Sequence, residues 1–133
     1  MVKAFGFVGY GGPEQQEFLD RPTPAPGPGT LRIRVVAAGV NPADWKKRQG
    51  RFGTDAAPPV VMGSEAAGVV TALGADVRGF RGGDEVFGTT PDGAFAEEAL
   101  LTARYPLERA AEAMAEVEGG HARGKLILEM SRP

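Results

Sequence analysis

Residues 31–50 read LRIRVVAAGVNPADWKKRQG and pass from a strand pattern to a helix pattern. Apolar and charged residues alternate over Leu31–Val35, which places the apolar side chains on a buried face and leaves the two arginines in water. A short helix can begin at Pro42, because proline is favoured in the first turn of a helix and Asn41 can cap it. The stretch therefore predicts a strand that is soon followed by a short helix.

The rest of the first hundred residues is divided into short apolar runs by many of the chain's 20 glycines and 11 prolines. This pattern is typical of small all-β barrels and sandwiches. The stretch PTPAPGPG at residues 22–29 has turn chemistry and is read as a connection within one domain. The other predicted strands are Lys3–Val8, Ala66–Leu73, Glu85–Phe87, Phe95–Leu101 and Lys125–Met130.

A helical pattern replaces the strand pattern after residue 101. Apolar residues recur at helical spacing from Leu107 to Val117, Pro106 fits the first turn, and Gly119 ends the run. The sequence therefore predicts a mainly β (α+β) fold with one or two helices.

Composition narrows the class of protein. The chain has 133 residues, of which 42% are hydrophobic and 24% charged, the balance of a single soluble domain rather than of a membrane protein. Its net charge of -2 argues against a nucleic-acid partner. The glycine-rich start shows no export signal, so we expect a cytoplasmic protein with no membrane partner.

The absence of cysteine and the single histidine, His121, exclude much catalytic chemistry. Disulfides, thiolate metal sites and cysteine nucleophiles are ruled out, and little is left for a zinc site or a catalytic triad. Ser64 and Glu65 stand side by side without a nearby base, so Glu65 is read as a buried or half-buried structural acid. Asp84 follows two glycines and is predicted to lie in a turn.

Two glycine-rich stretches resemble nucleotide-binding loops only in part. GGHARGKL at residues 119–126 has the G-x-x-x-x-G-K spacing of a P-loop, but Leu126 replaces the required hydroxyl and the predicted order is helix, loop, strand. GYGGPE at residues 9–14 lacks the third glycine of a dinucleotide fingerprint. The sequence thus predicts no cofactor cradle of its own.

The segment 38–48 concentrates an amide, a carboxylate, the only tryptophan and three cations at the end of the first strand described above. Such a density of functional groups on a loop over a rigid scaffold is typical of a binding site. The alternative is structural: Asn41 caps a helix, Trp45 fills the core and the cations are solvated. Both interpretations stay open at this point.

Five stretches taken together resemble the zinc-independent quinone oxidoreductases of the medium-chain dehydrogenase/reductase superfamily. This resemblance implies a GroES-like β-barrel, which family members assemble from both ends of the chain around an inserted Rossmann domain. The stretches are KAFGFVGYGGPE (3–14), PGPG (26–29), AAGVNPADWKKRQG (37–50), GSEAAGVVTALGADVRGFRGGDEVFG (63–88) and GAFAEEALL (93–101).

The last part of the chain resembles the extreme C-terminus of the same family. The resemblance therefore implies one GroES-like domain over residues 1–133, in which segments 1–101 and 105–133 are joined at 102–104 and the Rossmann domain is missing. Whether such a deletion is natural or engineered stays open.

The resemblance also bears on metals and cofactors. Asn41 stands where zinc-dependent relatives carry a cysteine ligand, and Ser64-Glu65 stands where they carry a His-Glu pair, so no metal is expected. In full-length members NADPH lies between the two domains and passes hydride to a quinone or another conjugated carbonyl. Asn41 and Lys46 match positions on the cofactor and substrate side, and Asp44 belongs to the same motif. Many quinone reductases have tyrosine in place of Lys46.

These implications define a residual catalytic half-site of Asn41, Asp44 and Lys46. Asn41 and Lys46 would also contact the cofactor if a nucleotide-binding domain were supplied. No cofactor is expected on this chain itself. The protein's share of the chemistry is to hold and orient the nicotinamide, so loss of the nucleotide domain should leave little or no reductase activity.

Three functions therefore compete. The first is the substrate-side domain of an NADPH:quinone oxidoreductase-like protein, with its status as an enzyme in isolation left open. The second is a binding or scaffold module for a small apolar ligand or a protein, with a homodimer formed through the face that the missing domain would cover. The third is one subunit of a split reductase.

Overall fold

The computed structural model describes residues 1–102, 104–106, 111, 114–115 and 127–129. Strands dominate these residues, which confirms the mainly β prediction. The elements are β1 (Val2–Phe7), a 3-10 turn (Pro13–Gln15), β2 (Gln16–Arg21), β3 (Leu31–Ala38), α1 (Pro42–Arg48), β4 (Val60–Val61), β5 (Glu65–Leu73), β6 (Glu85–Thr89), β7 (Glu98–Leu101), β8 (Arg104–Pro106) and β9 (Ile127–Glu129).

The strands form two antiparallel sheets and one parallel pair. A four-stranded sheet has the order β6-β5-β3-β7, a three-stranded sheet has the order β2-β1-β4, and β8 pairs with β9. The segment before β7 connects the two larger sheets: Phe5 N–H donates to the Phe95 carbonyl (2.8 Å), and Phe95 N–H donates to the Met62 carbonyl (2.9 Å). The core therefore has walls from both sheets.

Strand β3 lies in the interior of the four-stranded sheet and pairs with a strand on each side, β5 and β7. Leu31 pairs with Leu73 of β5 on one side and with Leu101 of β7 on the other. Leu31 and Ile33 are fully buried, as the alternation predicts, and they pack with Val70 and Leu101 in the main hydrophobic cluster. The predicted strand continues beyond Val35 to Ala38 by way of a bulge between Val35 and Ala37.

Most of the other predicted strands are present with slightly shifted ends, but three strands were missed: β2, β4 and β8. β2 has no apolar alternation and exposes Phe18 at 80%, and its six residues pair with β1 mainly through the backbone. Two side-chain contacts add to this pairing: the Phe18 ring lies edge-on to that of Phe5, and Asp20 forms an ion pair with Lys3. β4 has only two residues, which is too short for a periodic signal. The predicted Phe95–Leu101 strand begins only at Glu98, because the residues before it bond to the other sheet.

The start of the predicted C-terminal helix is wrong at Pro106. Residues 104–106 form β8, because they pair in register with β9, and this tertiary pairing overrides the local preference of proline for a first helical turn. Ala111 and Met114 are helical, whereas most of the predicted Leu107–Val117 run and its Gly119 end lie outside the described residues. The P-loop-like stretch 119–126 and His121 also lie outside them.

Candidate functional site

Helix α1 is fixed at its start by a reciprocal cap. Asn41 is extended (φ -129°, ψ 153°), and its N–H donates to Asp44 Oδ2 at 2.8 Å while Asp44 N–H donates to the Asn41 carbonyl at 3.0 Å. The predicted helix with Asn41 as its cap is confirmed. Asp44 is only 8% exposed, so its carboxylate serves the helix terminus from a buried position.

The Asn41 side chain links α1 to β5. Its Nδ2 lies 3.5 Å from Glu65 Oε1, and Gly39 N–H donates to the Glu65 carbonyl at 3.1 Å. Glu65 is half-buried, as the sequence predicted. The segments 38–48 and 63–68, which are separate in sequence, thus meet at one point of the fold.

A pocket of about 150 Å³ opens beside this junction. Its apolar lining comes from Phe7, Val61 and Met62, and the Phe52 ring stands at 66% exposure on its wall. The polar side chains in its lining are Asp44 and Lys47 from α1, Ser64 just before β5, and Thr90 just after β6. The pocket therefore combines an apolar floor with hydroxyl, carboxylate and ammonium groups.

The loop after β6 forms the wall opposite α1 and is held by Arg21. The Arg21 guanidinium donates to the carbonyls of Asp92 (2.6 Å) and Glu98 (2.7 Å), and it lies 3.6 Å from Asp92 Oδ2. Burial raises the pKa of the Asp92 carboxyl above 3.8, and the charge of Arg21 only partly opposes this effect. Gly93 completes the wall at φ 98°, where a Cβ atom would come within 2.5 Å of Val61.

The three candidate residues do not occupy one place. Asn41 and Asp44 are in direct contact, and Asp44 lines the pocket. Lys46 is not part of that lining: its Nζ lies 5.6 Å from the centroid of the Trp45 ring, and the Arg51 guanidinium lies 5.0 Å from the same ring. The half-site of Asn41, Asp44 and Lys46 remains a prediction.

The purely structural interpretation of this segment is wrong in two details. Trp45 is 38% exposed and packs with cations at the surface, so it does not fill the core. Arg48 is not solvated but only 7% exposed, and it donates from Nε to the Gly11 carbonyl at 3.0 Å and from Nη1 to Gln16 Oε1. These contacts tie the end of α1 to the glycine-rich loop of residues 9–12.

Sequence reasoning did not single out Lys47, Phe52 or Thr90 as lining residues. Lys47 could have been found, because it lies three residues after Asp44 and therefore on the same side of α1. Phe52 and Thr90 lie in loops, and no periodic pattern indicates where a loop side chain points. Asp84, by contrast, has the predicted turn role: it is 1% exposed and its Oδ2 accepts the Arg81 N–H at 3.0 Å.

A second cavity, of about 360 Å³, lies on the outer face of the four-stranded sheet. Ala37, Ala67 and Phe87 are paired in register across β3, β5 and β6, so their side chains form a row on one face. Small side chains and glycine backbone make up most of the lining, and Phe87 is 48% exposed. We call this surface the outer apolar row.

The residues that the structure describes contain neither grouped metal ligands nor a membrane-spanning helix. No cluster of three or more histidine, cysteine, aspartate or glutamate side chains is found in that part of the chain. Within the same residues, no helix has the length and hydrophobicity needed to span a bilayer.

Known proteins that resemble this chain have the same fold and local sequence. Residues 27–123 match the alcohol dehydrogenase GroES-like domain. A quinone oxidoreductase of Pseudomonas aeruginosa is 41% identical over 102 residues, which cover 76% of this chain and 31% of that protein. The human synaptic vesicle membrane protein VAT-1 homolog is 38% identical over 103 residues, covering 76% of this chain and 26% of that protein.

Solved structures agree with these relatives. A quinone oxidoreductase of Pseudomonas syringae superposes with a TM-score of 0.71 at 40% identity, over 77% of this chain and 31% of that one. A mycobacterial protein solved in complex with NADPH superposes with a TM-score of 0.70 at 35% identity, over the same shares of the two chains. The present chain thus spans about a third of the length of such relatives.

The matched region includes β3, α1 and the pocket-forming residues from Phe52 to Thr90. The predicted GroES-like fold and the resemblance to quinone oxidoreductases are therefore confirmed, and the chain belongs to the alcohol dehydrogenase GroES-like domain family.

Proposed function

We propose that this chain is the substrate-side domain of a zinc-independent, NADPH-dependent quinone oxidoreductase-like protein. The observation that carries the proposal is the pocket beside α1, whose lining combines hydroxyl, carboxylate and ammonium groups with apolar side chains. Concave, mostly apolar sites with a few convergent polar groups are the usual sites for small ligands. The quinone oxidoreductases among its relatives indicate the class of substrate.

Zinc-independence rests on the residues at the junction of Asn41 and Glu65. Asn41 offers an amide and Ser64 a hydroxyl, which are poor ligands for zinc compared with thiolate and imidazole. Asn41 Nδ2 also lies beside Glu65 Oε1, so the amide is already engaged in holding α1 to β5. This geometry favours a site that orients an organic carbonyl compound without a metal.

The pocket beside α1 does not fit NADPH. The pocket of about 150 Å³ is well below the roughly 300–1,000 Å³ of sites for larger small-molecule ligands, and the sequence has no complete dinucleotide fingerprint. The mycobacterial relative that was solved with NADPH is about three times as long as the matched region. The part of the site that holds the cofactor would therefore come from a further domain, in the same protein or in a separate subunit.

The role proposed for this chain is to bind and orient the conjugated carbonyl compound. The ring of that compound would lie against Val61 and Phe52, two accessible apolar side chains of the lining, whereas Phe7 and Met62 are buried. The Ser64 hydroxyl, which lines the same pocket, can donate a hydrogen bond to the carbonyl oxygen. Orientation of this kind is the share of catalysis that a protein supplies when a cofactor carries the hydride.

The experiment is a titration of the purified chain with NADPH, followed by nicotinamide fluorescence, with subsequent addition of a quinone to measure NADPH oxidation. We expect neither saturable binding nor turnover from the chain alone. Saturable binding with turnover would overturn the proposal, since the chain would then be a complete enzyme. Turnover that appears only after addition of a separately expressed Rossmann domain would support the split-reductase form.

A second candidate function is self-association through the outer apolar row. The in-register Ala37, Ala67 and Phe87 leave a flat apolar strip next to a cavity, and such patches commonly mark association sites. A homodimer through this face buries the strip by two-fold symmetry. Light scattering over a range of concentrations tests it: Phe87→Lys should abolish dimerisation, while Phe18→Lys on the distant β2 should not. A monomeric parent chain at high concentration contradicts it.

The first proposal also includes a cellular location, a class of ligand and a domain organisation. We propose a cytoplasmic location, as for an NADPH-linked reductase, with a quinone or another conjugated carbonyl compound as ligand and no nucleic-acid or membrane partner. We also propose that segments 1–101 and 105–133 form a single domain joined at 102–104. Fractionation of source cells followed by immunoblotting tests the location.

A further inference from the structure

The size of the pocket beside α1 limits its ligand. Its volume of about 150 Å³ equals that of an engineered apolar protein cavity that accommodates one benzene molecule. A fused two-ring or three-ring quinone could place only one of its rings inside. The pocket therefore fits a compound with a single six-membered ring.

The two charged side chains in the pocket lining, Asp44 and Lys47, differ in how accessible they are to a ligand. Asp44 is 8% exposed, and its carboxylate accepts the Asn41 N–H at 2.8 Å. Lys47 is exposed, and it forms no ion pair with any residue that the structure describes. The free charge at the pocket is therefore the Lys47 ammonium group.

The surroundings of Lys47 are also positive. Residues 42–52 carry four cations, Lys46, Lys47, Arg48 and Arg51, against the single carboxylate of Asp44, in a chain whose net charge is -2. Arg48 is buried against Gly11, while Lys46 and Arg51 flank the Trp45 ring. An anion that approaches this segment meets a local positive potential, which falls off over a Debye length of about 10 Å at moderate salt.

We infer that the pocket selects conjugated carbonyl compounds with one ring and an anionic substituent, and that Lys47 is the residue that recognises the anion. The ring contacts Val61 and the Phe52 face, while the carboxylate or similar group points outward to the Lys47 ammonium. The inference rests on the proposed function, because it names the substrate class for the same pocket.

The test uses three probes that neither carry out redox chemistry nor need a cofactor. Para-acetylbenzoate is anionic with one ring, para-(hydroxymethyl)acetophenone is its neutral counterpart of similar size, and acetylnaphthoate is anionic with two rings. Dissociation constants are measured by titration of amide chemical shifts with the intact chain. We expect para-acetylbenzoate to bind about threefold more tightly than its neutral counterpart, and acetylnaphthoate to bind more weakly than para-acetylbenzoate.

Variants assign the anion preference to one residue. Lys47→Gln should remove the difference between the anionic and neutral probes, and Lys47→Arg should restore it because the positive charge returns. Arg51→Gln is the matched control: it removes a cation from the same segment that is not in the pocket lining, and the preference should persist. Added salt should reduce the preference of the parent chain.

The outcomes separate the inference from the function on which it rests. Equal binding of the anionic and neutral probes at the pocket, or a preference that persists in Lys47→Gln, overturns the role of Lys47 and leaves the proposed function standing. Equal or tighter binding of acetylnaphthoate overturns the limit of one ring. Binding of none of the probes overturns the proposed function together with the inference.

Discussion

Two of the cavities among the described residues, the one on the outer apolar row and the one beside α1, are built by different means. The larger, of about 360 Å³, lies on regular sheet, where backbone pairing alone sets Ala37, Ala67 and Phe87 side by side. The smaller, of about 150 Å³, lies among loops and one short helix that are held by side-chain hydrogen bonds. Of these two, the smaller cavity is the one whose lining brings hydroxyl, carboxylate and ammonium groups together, although it is less than half the size of the other.

We expect the largest loss of stability from a change in the core of the four-stranded sheet. Ile33→Ala removes a fully buried side chain from β3 and leaves a void in the main cluster. We expect a loss of about 2–5 kcal/mol in the free energy of unfolding, measured by urea denaturation. Val36→Ala on the exposed side of the same strand is the control and should change it by about 0.5 kcal/mol or less. Equal losses in both variants would contradict the assigned faces of β3.

A smaller effect is expected from the anchor of α1. Arg48→Met keeps much of the side-chain length but removes the donors to Gly11 and Gln16. We expect a loss of about 1–3 kcal/mol, because two half-buried acceptors lose the donors that the buried Arg48 supplies. The smaller cavity should lose affinity for a ring probe, while the amide shifts of the sheet stay unchanged. Arg34→Met, at an exposed position on β3, is the control, and a comparable loss there would contradict the anchoring role.

The cap of α1 should contribute less than Arg48 to the free energy of unfolding. Asp44→Ala removes the acceptor for the Asn41 N–H and the favourable charge in the first helical turn. A loss of about 1 kcal/mol in the free energy of unfolding is expected, with Asp55→Ala in the exposed loop as control. An unchanged stability would mean that the helix start is held by other contacts.

The smallest effect is a pH dependence at the loop opposite α1. Because burial raises the pKa of Asp92 above 3.8 in the folded state, its contribution to stability is fully present below pH 3.8 and is lost as the pH rises through the folded pKa. Asp92→Asn keeps an acceptor for the Leu100 N–H but cannot titrate. The variant should therefore gain stability relative to the parent as the pH rises from just below 3.8 to neutrality.

Urea denaturation across that pH range measures the difference, and Asp55→Asn corrects for the general change in charge. The opposite slope, with the variant losing relative stability as the pH rises, would mean that attraction to Arg21 outweighs the cost of burying the carboxylate.

Features of the fold and of the site that have local sequence signals were predictable, whereas features that depend on tertiary contacts were not. β3 and α1 were predictable because alternation, proline and a capping residue are local signals, and the core positions of Leu31 and Ile33 follow from them. β2 and the bonding of Phe95 to the other sheet were not, since both depend on backbone partners distant in sequence. For the site, Asn41 and Asp44 stood out by residue type, whereas the packing of Lys46 on Trp45 and the burial of Arg48 depend on the tertiary structure.

We propose that the smaller cavity, and not the outer apolar row, binds the conjugated carbonyl compound. Amide chemical shifts mapped during titration with the neutral probe para-(hydroxymethyl)acetophenone distinguish the two surfaces. We expect saturable shifts at Lys47, Ser64 and Thr90 and none at Ala67 and Phe87. Saturable shifts confined to Ala67 and Phe87 would contradict the proposal and would assign ligand binding to the outer face of the sheet.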